Sequence, residues 1–359
     1  MFHLRAFSSR ILLVLIAIPA LPLLAQVSSV TIPTAPTPAD PYELVTGAIS
    51  ALTEPADRVA AMNLIRTAAK NGISHNAEMN PFDYQVKFNA TGNVADTGSG
   101  ELTETWLSGQ NWRVTISLGN YSMIRYGYSG KVGDQIPVSR LPMRAQMLRN
   151  EVLWAIGNVN GGVPAGVRVS NAALNGEPVT CVLLSGVNGA MAQTQSRLWL
   201  ENEYCVSTST GLLQVHSPVP GTYTVFGYSR KLQFHGKFMP DHFTTYVAGV
   251  QVITADMVVK DPALSSAQLR PPEAIPVGRG GVVLSEPARM QLNLPGSSNV
   301  MGTVVIRTAF NNQGQATDAE VSSASDRSLI DAAMSKAKHF EFHGSNEAYL
   351  TVRFSPQAE

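Results

Sequence analysis

The chain has 359 residues, of which 44% are hydrophobic and only 14% are charged, and its 26 basic side chains balance 26 acidic ones. At roughly 150 residues per domain, this length predicts about two domains, each able to bury a core. The zero net charge excludes a general electrostatic grip on nucleic acid, and the ordinary apolar content excludes disorder along the whole chain. Because the chain holds only 7 histidines and 2 cysteines, we expect neither a metal centre nor a cofactor.

The N-terminus has the pattern of a secretory signal peptide. Arg5 and Arg10 precede an apolar run over residues 11–25, and this run is shorter than the roughly twenty residues of a membrane-spanning helix. We therefore predict a cleaved signal peptide over residues 1–25 and a periplasmic location for the mature protein. A retained inner-membrane anchor is the alternative.

Export changes how the two cysteines are interpreted. Cys181 and Cys205 form the only pair in the sequence, and an oxidising compartment favours a disulfide between them. Two buried free thiols are the alternative.

Hydrophobic periodicity divides the rest of the chain into a large and a small unit. A Pro- and Thr-rich lead-in over residues 26–40 precedes two short helical patterns, the first over residues 44–52. Many strands with two-residue alternation follow, interrupted by a helical pattern over residues 140–156. Residues 41–260 therefore predict an α+β domain that consists of a large antiparallel sheet with a few helices on one side.

The last part of the chain predicts a smaller α+β unit. A Pro- and Gly-rich stretch over residues 261–281 has the composition of a linker. Residues 282–357 then follow the order β-β-α-β, with a helix that begins near Asp326.

This small unit resembles the TonB C-terminal domain family. The matching segments are residues 302–310, the turn glycine Gly314, and residues 321–325, 329–333, 336–342 and 350–354. In that family the domain binds a partner by adding the partner's extended peptide to a sheet edge. The resemblance therefore implies an envelope partner, such as an outer-membrane transporter, on the final strand. The residues of that strand are Tyr349, Leu350, Thr351, Val352, Arg353 and Phe354. Pairing of this strand within the domain or in a homodimer is the alternative.

The larger unit has a fainter similarity to the LolA/LolB-like lipoprotein-carrier superfamily. The similar segments are residues 196–200, Cys205, and residues 211–213, 228–229 and 234–240. This resemblance implies a half-barrel around an apolar groove, and therefore a lipid or lipoprotein ligand. Six apolar residues are candidates for the groove wall: Trp112, Val114, Ile116, Leu118, Tyr126 and Tyr128. Ordinary core packing is the alternative for all six.

The remaining candidate catalytic, metal-binding and anion-binding side chains are interpreted as ordinary surface residues. His339 and His343 flank a strand-like segment, and His235 and His242 flank Asp241 in a predicted hairpin. Neither set includes an activated nucleophile or a complete ligand set, so we expect no enzymatic activity. A basic cluster of Lys131, Arg140, Arg144 and Arg149 is interpreted as a solvated helix face, with an anionic headgroup contact as the alternative.

Overall fold

Two β-sheets account for most of the secondary structure in a computed structural model of the protein. The structure describes residues 44–72, 80–135, 142–156, 162–186, 197–199, 201–273, 277–278, 287–295, 301–311, 313–343 and 346–355. The predicted signal peptide and lead-in lie outside these residues.

The larger sheet has fourteen strands, and every pairing in it is antiparallel. The first half of the chain supplies β1 (Leu44–Ala51), β2 (Phe82–Ala90), β3 (Gly98–Ser108), β4 (Asn111–Leu118), β5 (Tyr121–Tyr128), β6 (Lys131–Gln135), β7 (Gly166–Leu174) and β8 (Glu177–Ser185). The second half supplies β9 (Asn202–Ser207), β10 (Leu213–Val219), β11 (Thr222–Gly227), β14 (His242–Val247), β15 (Val250–Lys260) and β16 (Val277–Gly278), with β12 (Leu232–Phe234) and β13 (Lys237–Met239) as a separate hairpin. The spatial order is β1-β7-β8-β9-β10-β11-β14-β15-β2-β3-β4-β5-β6-β16, so the sheet is open.

The alternation seen in the sequence explains how the sheet is oriented. In β4, Trp112, Val114, Ile116 and Leu118 are buried, while the residues between them are partly exposed. This two-residue period places the apolar side chains on one face of the sheet. The predicted large antiparallel sheet with few helices is confirmed.

Helices cover that apolar face. α1 (Pro55–Asn71) begins with a proline at its first turn, where a missing N–H costs nothing, and it buries Met62 and Ile65 against the sheet. α2 (Met143–Met147) continues into a π-helix over Leu148–Leu153. We call this side the helix-covered face. None of the described helices has the length and apolarity needed to cross a membrane.

Two segments differ from their predicted structure. The helix expected over residues 44–52 is strand β1, because Val45 and Ala51 pair with residues of β7 and apolar residues spaced four apart also suit a bulged strand. Within the predicted linker, Leu269 is fully buried and β16 pairs with β6. The described part of this segment, residues 261–273 and 277–278, therefore packs onto the large sheet.

The smaller sheet has four strands in the order β17-β20-β18-β19. They are β17 (Ala288–Pro295), β18 (Gly302–Phe310), β19 (Ala316–Ala324) and β20 (Glu347–Ser355), and α3 (Ile330–Lys338) lies between β19 and β20 in sequence. The β18-β19-α3-β20 order follows the predicted β-β-α-β unit, and β17 is an additional strand parallel to β20. The Asp326 carboxylate precedes α3 and accepts a hydrogen bond from the Ser328 backbone N–H, which lowers the pKa of Asp326.

Candidate functional site

A small apolar cavity lies between α1, the end of the π-helix and the helix-covered face. Thirteen residues line it: Ala68, Gly72, Tyr84, Leu153, Ala155, Ile156, Leu213, Phe226, Tyr228, Met239, Pro240, Phe243 and Met257. No charged side chain is among these described lining residues. The cavity measures about 40 Å³, which leaves room for a few water molecules at most.

The strands contribute to the cavity from one end of the sheet. Tyr84, Leu213 and Phe243 lie near the starts of β2, β10 and β14, which run in one direction. Phe226 and Met257 lie near the ends of β11 and β15, which run in the opposite direction. The cavity is therefore at one end of the large sheet, which we call the cavity end.

The two tyrosines at the cavity are neutral, and the Tyr228 hydroxyl has a hydrogen-bond partner. Burial raises the pKa of Tyr84 well above its usual range, and the nearby Glu104 carboxylate raises it further. Burial also raises the pKa of Tyr228, whose hydroxyl donates to the Leu213 carbonyl oxygen at 2.8 Å. The cavity therefore presents mainly apolar surface together with two neutral tyrosines, a lining that suits a hydrocarbon chain.

The α2–π-helix segment fills the space next to this cavity. Met143, Ala145, Met147 and Leu148 are all fully buried, and the Trp154 N–H bonds the Arg149 carbonyl oxygen five residues earlier. π-Helical turns are rare and often occur at functional sites, because their wider ring packs less tightly than an α-helix. We call residues 143–153 the plug segment.

The cavity is much smaller than a typical ligand pocket, which occupies about 300–1,000 Å³. An acyl chain therefore does not fit while the plug segment is in place. Binding of such a ligand requires displacement of the plug segment or of α1.

The groove residues suggested by the sequence are not at the cavity. Trp112, Val114, Ile116 and Leu118 belong to the packed core of the helix-covered face, and neither Tyr126 nor Tyr128 lines the cavity. Ordinary core packing, the alternative interpretation, therefore holds for β4. The strand residues that line the cavity belong instead to β2, β10, β11, β13, β14 and β15, and their sequence pattern indicates only strands.

The predicted partner-binding strand is not an edge strand. Tyr349, Leu350, Thr351, Val352, Arg353 and Phe354 lie in β20, which pairs with β17 on one side and with β18 on the other. Because both rows of main-chain groups are already bonded, this strand has no free edge for a peptide. The edge interpretation of these six residues is wrong, since β17 was missed in the sequence.

Both faces of the small sheet are covered. Val304, Ile306, Leu350 and Val352 face the core around α3. The opposite face of β18 and β20 packs on the large sheet, where Val305 and Tyr349 cluster with Trp199 and Val219. We call this contact between the two sheets the junction.

A buried ion pair lies on each side of the junction. Arg307 and Glu347 form a two-bond pair at 3.1 and 2.5 Å with both side chains 1% exposed, and Arg307 also donates to the Tyr349 hydroxyl. In the large unit, Arg168 of β7 and Glu201 form a similar buried pair at 2.6 Å.

Arg197 stands at the centre of this network. Its guanidinium donates to Glu203 at 2.9 Å and to the Ser217 carbonyl oxygen at 2.6 Å. Burial lowers the pKa of Arg197, and the carboxylates of Glu203 and Glu201 oppose that shift. The charge is thus stabilised by fixed partners, as a buried cation requires.

A further ion pair joins the plug segment to the small sheet. The Arg144 side chain is 0% exposed, and it donates to both Glu320 carboxylate oxygens at 2.6 Å and to the Thr91 carbonyl oxygen at 2.9 Å. Arg149 is also buried and lies over the Trp112 ring. The solvated interpretation of Arg144 and Arg149 is wrong, because their partners are distant in the sequence.

His235, His242 and the two cysteines have different partners in the structure. His235 contacts Asp261, His242 contacts Asp256, and the Asp241 carboxylate accepts from Ser229 and Arg230. The structure therefore does not bring the two histidines and Asp241 together. Cys181 and Cys205 form a buried disulfide across β8 and β9, as predicted.

Comparison with known proteins gives structural neighbours only. No family model and no curated protein matches the chain. A LolA-superfamily protein from Nitrosomonas europaea superposes with 12% identity and a TM-score of 0.38, covering 59% of this chain and 97% of its own. A putative outer-membrane lipoprotein-sorting protein domain from Vibrio parahaemolyticus gives the same coverages and TM-score with 6% identity.

Proposed function

We propose that the protein is an exported, non-enzymatic carrier that binds an acyl chain at the cavity end of its large sheet. The observation that carries this proposal is the uncharged cavity beneath a buried helical segment. Its lining offers dispersion and hydrophobic contacts but no group to stabilise a charge, so the hydrocarbon part of a lipid would be inside and its head group outside. The buried disulfide supports a periplasmic location.

A binding assay with a fluorescent long-chain fatty acid tests the proposal. Ala68 lines the cavity, whereas Ala60 is exposed on the same helix. We expect Ala68→Phe to weaken binding by at least about tenfold, a loss of about 1.4 kcal/mol, and Ala60→Phe to leave it unchanged. Ala68→Leu provides a milder version if the larger side chain destabilises the fold.

Two outcomes would contradict the carrier proposal. Equal binding by the Ala68→Phe and Ala60→Phe variants would place the fatty acid elsewhere on the protein. Failure of the wild-type protein to bind, together with a lipid-free mass after gentle purification, would argue against any lipid ligand.

Binding of an envelope protein is a second candidate function, and it is favoured by β17. Among the described strands, none pairs with the side of β17 that faces away from β20. A row of free main-chain groups is a template for an extended peptide of another protein. A photo-crosslinker at the exposed Asn293 should trap an outer-membrane protein in intact envelopes, whereas one at the exposed Val258 of β15 should not. Self-crosslinks alone would instead indicate a homodimer.

A further inference from the structure

The plug segment begins where the two sheets meet and ends at the cavity. Three turns at the end of the large sheet opposite the cavity approach the small sheet, and they follow β2, β10 and β14. There the Thr222 hydroxyl donates to the Ser322 hydroxyl at 3.1 Å and the Ala95 N–H donates to Asp318 at 2.9 Å. At the opposite end, Leu153 lines the cavity. The plug segment therefore lies between the small sheet, which its Arg144 side chain reaches, and the cavity, which its Leu153 lines.

Arg144 connects that segment to the small sheet. Its helical neighbours Met143 and Ala145 are fully buried in the large unit, yet its guanidinium holds Glu320 of β19 in a two-bond pair. Movement of β19 away from the large sheet would break both hydrogen bonds between the Arg144 guanidinium and the Glu320 carboxylate. Displacement of the plug segment and undocking of the small sheet are therefore energetically coupled.

The loop after β2 is shaped around this ion pair. Gly92 has φ +113°, and a Cβ atom at this position would lie 2.4 Å from Arg144 Nη2 and 3.4 Å from Glu320 Oε1. Only glycine combines that backbone conformation with that approach. The Thr91 carbonyl oxygen accepts the third Arg144 hydrogen bond.

The junction has the composition of a contact that can separate. Besides its ion pairs, it buries three polar atoms that have no hydrogen-bond partner among the described residues: Trp199 Nε1, Ser323 Oγ and Thr351 Oγ1. Each such atom would gain hydrogen bonds to water when the sheets part. Polar contacts between units of one chain are the kind that permit relative movement.

We infer that the small sheet is a latch: its Glu320 holds Arg144 and keeps the plug segment over the cavity, and undocking of the small sheet releases the plug segment for ligand entry. The ligand-entry part of this inference rests on the proposed carrier function, whereas the mechanical part does not. A second protein that binds the small sheet would then control loading.

Hydrogen exchange of the full-length protein tests the mechanical part. In Glu320→Gln, which keeps the side-chain volume, we expect amides of residues 148–154 to exchange at least about tenfold faster than in the wild type, because local opening becomes less costly. The matched control is Glu341→Gln, an exposed carboxylate of the same unit, and it should leave these amides unchanged. The double variant Arg144→Met/Glu320→Met should restore slow exchange, since no unpaired charge remains.

The exchange rates of β19 and of residues 148–154 together distinguish the latch from its alternatives. Faster exchange in β19 with unchanged exchange at residues 148–154 would overturn the latch, as would unchanged exchange in both segments. If Glu320→Gln fails to fold, Asp318→Ala removes the carboxylate that accepts from the Ala95 N–H and should produce a smaller change of the same kind. Fatty acid should also associate faster with Glu320→Gln. If residues 148–154 exchange faster in Glu320→Gln but the protein binds no fatty acid, the latch is supported and the carrier proposal is contradicted.

Discussion

The helix-covered face of the large sheet and the junction between the sheets are both buried, but different interactions stabilise them. On the helix-covered face, aliphatic and aromatic side chains from α1, the plug segment and the strands form one apolar core. At the junction, the Arg144–Glu320 and Arg307–Glu347 pairs combine with a small apolar cluster. Apolar packing is non-directional and tolerates changes of similar volume, whereas a buried ion pair depends on one specific partner.

This difference predicts how each region responds to mutation. Loss of one charged partner at the junction should cost more than loss of both, because a single buried charge remains uncompensated. Loss of volume on the helix-covered face should cost free energy in proportion to the cavity that it leaves.

The largest expected effect is at the junction. Glu347→Ala leaves Arg307 buried without its carboxylate and should lower the free energy of unfolding by about 3–5 kcal/mol. The double variant Arg307→Met/Glu347→Leu should be within about 1 kcal/mol of the wild type, because apolar replacement of both partners is often neutral. Urea unfolding measures both values. If the double variant were as unstable as the single one, the uncompensated Arg307 charge would not be the cause of the loss.

A somewhat smaller effect is expected on the helix-covered face. Ile65 of α1 is fully buried, and Ile65→Ala should lower the free energy of unfolding by about 2–5 kcal/mol, whereas Ile65→Val should cost only about 0.5–1.5 kcal/mol. Leu64 on the same helix is 38% exposed, so Leu64→Ala serves as the control and should have a much smaller effect. A graded series supports apolar packing, while similar losses for all three variants would contradict it.

The smallest effect concerns a close backbone approach at the junction. Gly221 has φ +84°, and a Cβ atom there would lie 1.9 Å from the Ser322 carbonyl oxygen. Gly236, with φ +77°, has no atom within 4 Å of such a Cβ. Gly236→Ala should lose about 1–2 kcal/mol because of the left-handed backbone, and Gly221→Ala should lose more because its Cβ atom would also clash with Ser322. The difference in stability loss between the two variants, measured by thermal unfolding, therefore gives the steric contribution of the junction. Equal losses would show that the two sheets are not in contact at Gly221.

The sequence was a reliable guide wherever local periodicity decides the structure. The alternation in β4 and the order of β18, β19, α3 and β20 were both predicted, because each depends on neighbours within a few residues. The β1 segment was assigned to a helix, since its apolar spacing suits both structures and its pairing with β7 is distant in the sequence.

The functional geometry was less accessible from sequence. Glu320 lies 176 positions from Arg144, and nothing in either local pattern indicates that they meet. The parallel pairing of β17 with β20 likewise depends on a long-range contact, and without it the final strand was taken for an edge. The apolar residues of the cavity look like any other strand residues until the fold places them at one end of the sheet.

The order of strands in the large sheet also has a consequence for how the protein matures. β2 to β6 pair with their sequence neighbours, and so do β7 to β11, but β2 is joined to the second group only through β15. A chain that is synthesised from its N-terminus therefore presents β2 with an open edge until β15 has followed it. Exposed strand edges invite association with other chains, and such long-range pairings slow folding. Folding of this protein is thus vulnerable to association with other chains during the interval between the two strands, which is when a chaperone would be most effective.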